Sequence, residues 1–316
     1  MYQEYAIDPT SICGSFDRFK LFWNGLGYNE GRLLSRFPSS WEKKVVKSRA
    51  YRELPDGLRK KAIEESLAKE AKIKRRSILS GRDFNSNADS WLEEAERAHA
   101  SLPFYSIISE ENPRSHKDVA CFDDIGEPGD CWEIPKPWQV ARYHKDMARA
   151  AAPLLRSSRE ILLIEPYFDF KDRFTRPLKS FLTELAPYST AIKRIEVHLK
   201  HWDNESNDEL FVEAFKQRAA ESPRHFVPDE NGDAILEKLE FIIWESPDSN
   251  RMHPRYILTE IAGLGFENGL DESDNGGGIT DISIIAGTSL EARWDEFQAT
   301  TSIRRLISRI HARDLT

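Results

Sequence analysis

The sequence predicts an α/β domain over residues 138–316, with a mixed, mainly parallel sheet flanked by helices, preceded by a mostly helical N-terminal domain over residues 1–110. Three observations carry this. Before residue 110, apolar side chains recur at helical spacing. Residues 111–137 are rich in Pro, Gly and Asp without sustained periodicity, which marks a connecting segment. From residue 138 onward, helix-length and strand-length runs alternate, the order of an α/β sheet finished by antiparallel strands.

In chain order, FDRFKLFWNGLG places Phe16, Phe19, Phe22 and Trp23 on one helical stripe, ended by Gly25 and Gly27. Lys60 to Ser80 predicts a long helix with Ile63, Leu67, Ala71 and Ile78 on one face, and DSWLEEAERAHASL a further helix. After the connection, WQVARYHKDMARAAAPLL reads as a helix leading into EILLIEPYF, a buried-strand run stopped by Pro166. A helix around RPLKSFLTELA, the strand RIEVHLK, the helix ELFVEAFKQRAAE and the strand LEFIIWE follow. Then come RYILTE, GLGFENGL, DISII and a last helix around LEARWDEF. In open α/β sheets ligands bind beyond the carboxyl ends of the parallel strands. That edge is expected to gather Glu165 and Tyr167, Lys200 and His201, and Trp244 and Glu245.

The totals narrow the class. A hydrophobic fraction of 40% over 316 residues supports a real core and excludes a disordered chain. The net charge of -8 gives no global reason for nucleic-acid binding, but the distribution is uneven. Lys43 to Arg82 holds fourteen Lys and Arg against five acids. Lys72, Lys74, Arg75 and Arg76 are its densest part, which fits either a solvated helix face or a surface for phosphate backbones. Cys13, Cys121 and Cys131 show neither disulfide nor zinc spacing, and no cofactor or metal is expected. The N-terminus lacks a signal-peptide pattern and no apolar run approaches the ~20 residues of a membrane helix, so a cytoplasmic protein is expected.

The octet HPRYILTE, residues 253–260, carries the chemistry. On an extended segment His253 and Arg255 share a face. An imidazole beside a fixed guanidinium suits phosphodiester chemistry: the histidine can attack phosphorus while the cation neutralises the non-bridging oxygens. Glu260, five places on, is expected to orient the imidazole. A second string, HLKHWDNE from His198 to Glu205, imitates the pattern but lacks the apolar strand that should follow. His198 is expected to be packed, with Lys200 and His201 as wall residues.

His253, Arg255 and Glu260 fall at the three positions of H-x-K-x-x-x-x-D, and the chain thereby resembles the phospholipase D superfamily, with Arg for Lys and Glu for Asp. NGLD, from Asn268 to Asp271, stands where that family has G-S-x-N, and EILLIEPYFD is similar to its opening strand. Within the superfamily, HPRYILTEIAGLGFENGLDE looks closest to the phospholipase D-like C-terminal domain of MIT-domain proteins and its bacterial relatives. The resemblance covers roughly residues 138–300 and leaves the first 110 unmatched. It implies a phospholipase D-like fold, with His253, Arg255 and Glu260 catalytic and Glu165, Tyr167, Lys200, His201, Asn268 and Asp271 binding phosphate or substrate. It implies one of three functions: a metal-independent nuclease or phosphodiesterase using His253 in a homodimer, a non-catalytic phosphate-docking module, or a lipid-headgroup binder, which no amphipathic membrane helix supports. Eukaryotic members bind phosphoinositide membranes, and bacterial relatives are associated with mobile-element and phage-defence loci. The expected partners are nucleic acid, a second copy of the chain and proteins of a defence complex.

Overall fold

The computed structural model describes residues 1–79, 81–85, 90–126, 129–134, 137–201, 207–221, 224–245, 252–273, 277–298 and 300–315. The chain divides into two compact units, Met1–Pro135 and Lys136–Thr316.

The first unit runs β1 (Gln3–Ile7), α1 (Phe16–Gly25), β2 (Arg32–Ser35), α2 (Trp41–Lys47), α3 (Arg49–Glu53), α4 (Leu58–Ile73), β3 (Ser77–Ile78), α5 (Trp91–Ser101), β4 (Ser106–Ser109) and β5 (Val119–Cys121). Its described strands form one sheet in the order β3-β2-β1-β4-β5, every pairing parallel. The expectation of a mostly helical domain is therefore corrected, because the helices flank a parallel sheet. The strands are only two to five residues long, so apolar runs such as YAI and SIIS carry no periodicity that separates strand from helix. The segment expected to be a bare connection, residues 111–137, contributes β5.

Local chemistry explains the helices that were foreseen. Ser15 caps α1 by accepting from the Arg18 amide at 3.0 Å, and Phe19, Phe22 and Trp23 are buried. On α4, Ile63 and Leu67 are buried while Ala71 is exposed. Glu70, also buried, accepts from the amides of Arg76 and Ser77 at 2.8 and 2.9 Å, and so fixes the entry to β3.

The second unit runs β6 (Trp138–Ala141), α6 (His144–Ser157), β7 (Glu160–Ile164), α7 (Asp172–Leu185), β8 (Arg194–Lys200), α8 (Asp208–Glu221), α9 (Gly232–Leu236), β9 (Leu239–Trp244), β10 (Tyr256–Thr259), β11 (Gly263–Phe266), β12 (Ile279–Ile285), α10 (Gly287–Glu296) and β13 (Leu306–His311). The described strands order as β13-β9-β8-β7-β10-β11-β12-β6, a mixed α/β sheet in which β7, β8 and β9 are parallel. WQVA, expected to open a helix, is instead the edge strand β6 paired to β12, and the helix begins at His144. Alternating burial along Trp138–Ala141 is the strand signature that the following alanine run masked. β13 was not foreseen.

The core of this unit is aromatic. Phe241 on β9 lies 5.4 to 5.7 Å, ring to ring, from Phe168, Phe170, Phe215 and Phe226. On the other face of the sheet, His198 is fully buried in β8. Trp244 Nε1 donates to His198 Nδ1 at 2.8 Å, which fixes the neutral tautomer carrying its proton on Nε2, 3.1 Å from Glu196. Burial lowers the pKa of His198, partly offset by Glu196. Among the described residues no helix is long and apolar enough to cross a membrane.

Phe241→Ala is expected to lower the unfolding free energy of this unit by about 3–5 kcal/mol in urea titration, because four rings lose their common contact. A loss below ~1 kcal/mol would mean that Phe241 is not central to the core.

Candidate functional site

β7 and β8 end together, and their ends build the site. Pro166 has no N–H to continue the ladder. Instead the Lys200 amide donates to Pro166 O at 3.1 Å, and the Glu165 amide donates to His198 O at 3.0 Å. β10 enters from the same edge because it pairs antiparallel with β7, Tyr256 opposite Ile164 and Thr259 opposite Ile161.

Three side chains converge there on the phenol of Tyr167. Lys200 Nζ lies 4.7 Å from the Tyr167 ring centroid and Arg255 Cζ 5.3 Å from it. The Tyr167 hydroxyl is 3.4 Å from Nδ1 of the exposed His253. The negative face of the phenol ring attracts both cations. Among the described residues, neither Lys200 nor Arg255 has a carboxylate within ion-pair distance. Lys200 is only 8% exposed, and Arg255 Nε is buried with no hydrogen-bond partner among them. A buried cation without an anion is costly, so this edge is poised to accept one.

Other cations near this edge are already matched. Asp271 accepts from Arg142 at 2.7 Å and from Arg173 at 3.0 Å. Glu272 meets His144 at 3.0 Å and Arg176 at 3.2 Å, and Asp169 meets Arg218 at 3.0 Å and Lys171 at 3.3 Å. At the end of β7, the buried Glu165 accepts from the amides of Tyr167 at 3.2 Å and Leu270 at 2.8 Å. Burial, with Asp271 close by, raises its pKa to about 7 against the pull of these hydrogen bonds and of Arg255. Gly269 (φ +108°) allows the close turn, because a Cβ there would stand 2.4 Å from Asp271 Oδ1 and 3.3 Å from Glu165 Oε2.

The geometry departs from the expected roles at several positions. Glu260 does not approach His253, because it lies at the opposite end of β10, roughly 17 Å along the strand from Arg255. There it accepts from the amides of Arg159 at 2.7 Å and Glu160 at 3.1 Å, closing the amino end of β7. His201 follows Lys200 in β8 and turns to the other face. Its ring is edge-on to Phe211 at 4.6 Å, in a separate cleft with Asp208, Glu245 and Arg305. Trp244 is buried against His198 rather than lining the edge. Asn268 spends its side-chain amide on Ile279 O at 2.9 Å, and Asp271 is neutralised by its two arginines. The end of the second string, residues 202–205, and the turn at 246–251 lie outside the described residues.

Sequence reading missed Arg142 and Arg173, which hold Asp271. FDFKDRF after the first parallel strand is the available signal, since cations there face a carboxylate-rich turn. In the first unit, Lys72, Lys74 and Arg75 are exposed. Arg76 is committed to the fold: its guanidinium lies 5.4 Å from the Trp23 ring and its Nε donates to Trp23 O at 3.1 Å.

No family model matches the sequence, and no curated protein matches it. Among solved structures it is similar to phosphatidylserine synthase of Haemophilus influenzae Rd KW20, at 13% identity and a TM-score of 0.35 over 58% of this chain and 43% of that chain. It is also similar to TrmBL2, described as an archaeal chromatin protein with a novel mode of DNA binding, at 14% identity and a TM-score of 0.25 over 55% of this chain and 53% of that chain. The matched region thus spans about half the length of each neighbour. Likenesses this slight decide nothing about function, which is read from the site.

Glu260→Ala should cost the fold about 1 kcal/mol, the order expected when backbone donors lose an acceptor. It should leave anion affinity at Arg255 unchanged within about twofold. A binding loss as large as that of Arg255→Ala would return Glu260 to the site.

Proposed function

We propose that the second unit docks a phosphate group of nucleic acid on Arg255 and Lys200, with His253 at the mouth of the site, and that it binds rather than cleaves. One observation carries the reading: two cations share the Tyr167 ring with no carboxylate within ion-pair distance among the described residues, while neighbouring arginines are paired. A guanidinium presents paired donors that match phosphate oxygens, and the ammonium adds a point charge. Lys72, Lys74 and Arg75 would add sequence-independent backbone contacts. A role in a prokaryotic phage-defence or mobile-element system, alongside protein partners, follows from the resemblance alone.

Turnover is the second reading, and the exposed imidazole of His253 beside two cations favours it. Attack by a neutral imidazole on phosphorus would form a phosphohistidine and expel an alkoxide, which needs a proton. His198 cannot supply it, being sealed in the core on Trp244 and Glu196. A homodimer offering a second His253 could.

Binding of short single- and double-stranded DNA and RNA, followed by fluorescence anisotropy, tests the docking. Arg255→Ala and Lys200→Ala should each weaken it roughly 10-fold or more, the scale of a lost charge-assisted hydrogen bond. Each should also reduce the dependence of log K on log salt by about one. Wild-type affinity in both variants would discard the reading. The same nucleic acids incubated with EDTA should stay intact, whereas cleavage that disappears in His253→Ala would establish the second reading instead.

A further inference from the structure

We propose that Glu165 is a proton-linked positioning residue, whose buried carboxyl group takes up a proton as an anion docks on Arg255 and Lys200. The inference rests on the docking reading above and adds how the site tunes itself.

Glu165 holds both sides of the site through backbone amides, Tyr167 on its own segment and Leu270 on the turn after β11. Among the described residues, three charged or titratable residues adjoin it. Asp271 shares the Gly269 turn with it, Arg255 approaches from the entry to β10, and Tyr167 follows it in sequence and carries His253 on its hydroxyl. The remaining surroundings are apolar: Glu165 lines a small cavity with Leu163, Phe168, Leu178, Phe181 and Val197. The charge of Asp271 is met by Arg142 and Arg173. For Glu165 the offsetting cation is Arg255. An anion on Arg255 claims the same positive charge, so a docked phosphate and an ionised Glu165 compete. In a low-dielectric site that competition is resolved by protonating the carboxyl group. Burial has already brought its pKa to about 7, so the proton is available near neutrality.

The sign follows from linkage. An anion favours the protonated form, so by reciprocity the protonated form favours the anion. Affinity should rise as pH falls through about 7. A coupling of ordinary size makes binding at pH 6 about 5-fold or more tighter than at pH 8.

The test is titration calorimetry of the full chain with a short single-stranded DNA, whose phosphodiesters do not titrate in this range. It is run at pH 7 in buffers of different ionisation enthalpy, which reports protons taken up per ligand bound. His253→Ala removes the imidazole at the mouth of the site and should keep the uptake. Glu165→Gln should abolish it, and should bind at pH 8 about as tightly as at pH 6. If uptake persists unchanged in Glu165→Gln, the proposal is wrong. Should Glu165→Gln fail to fold, infrared difference spectra of His253→Ala decide: DNA must raise a protonated-carboxyl band at pH 7.5, and its absence overturns the proposal. Binding that depends on Arg255 but not on pH defeats only the proton linkage. Binding indifferent to Arg255 defeats the docking reading beneath it.

Discussion

The antiparallel pairing of β10 against β7 is the constraint on which the site depends. With Tyr256 opposite Ile164, the residues just before β10 land at the carboxyl edge of the parallel strands, and the residue just after it lands at the amino edge. His253 and Arg255 therefore reach Tyr167, and Glu260 cannot. Strand rise alone separates the two ends. Glu260 caps the start of β7 instead, a role that ties the sheet together and leaves the chemistry to other groups.

Charge matching then selects what the edge can do. Carboxylates and guanidinium groups are abundant around it, yet Asp271 and Asp169 each hold two cationic partners, and Glu272 holds Arg176 and the ring of His144. Such pairs position the turn and the start of α7 but offer little net charge to a ligand. Lys200 and Arg255 differ because their shared neighbour is an aromatic face. A ring quadrupole attracts a cation without neutralising it, so the positive potential remains for an anion.

Much of the second unit was legible from its sequence because its strands are long enough to show a pattern. EILLI and LEFIIW are largely apolar runs, and RIEVHLK sets Ile195, Val197 and Leu199 at alternate positions, each strand lying between helix-length segments. His198 was legible as packed for the same reason. The partners of Asp271 were not, since Arg142 lies 129 residues away in sequence and only the sheet brings it back. Nor was the separation of Lys200 from His201, adjacent residues that β pleating sends to opposite faces. In the first unit the aromatic stripe of α1 and the charged run of α4 dominated the pattern, and strands as short as Ser77–Ile78 left none of their own.

The central claim is that an anion bonds to Arg255, whose Nε is buried and unpartnered among the described residues. The Nε–H resonance of Arg255, assigned by its loss in Arg255→Lys, reads this directly in a nitrogen-15 correlation spectrum. Titration with single-stranded DNA should move that resonance downfield, as a new charge-assisted hydrogen bond requires. A resonance that stays in place at saturating DNA would contradict the account.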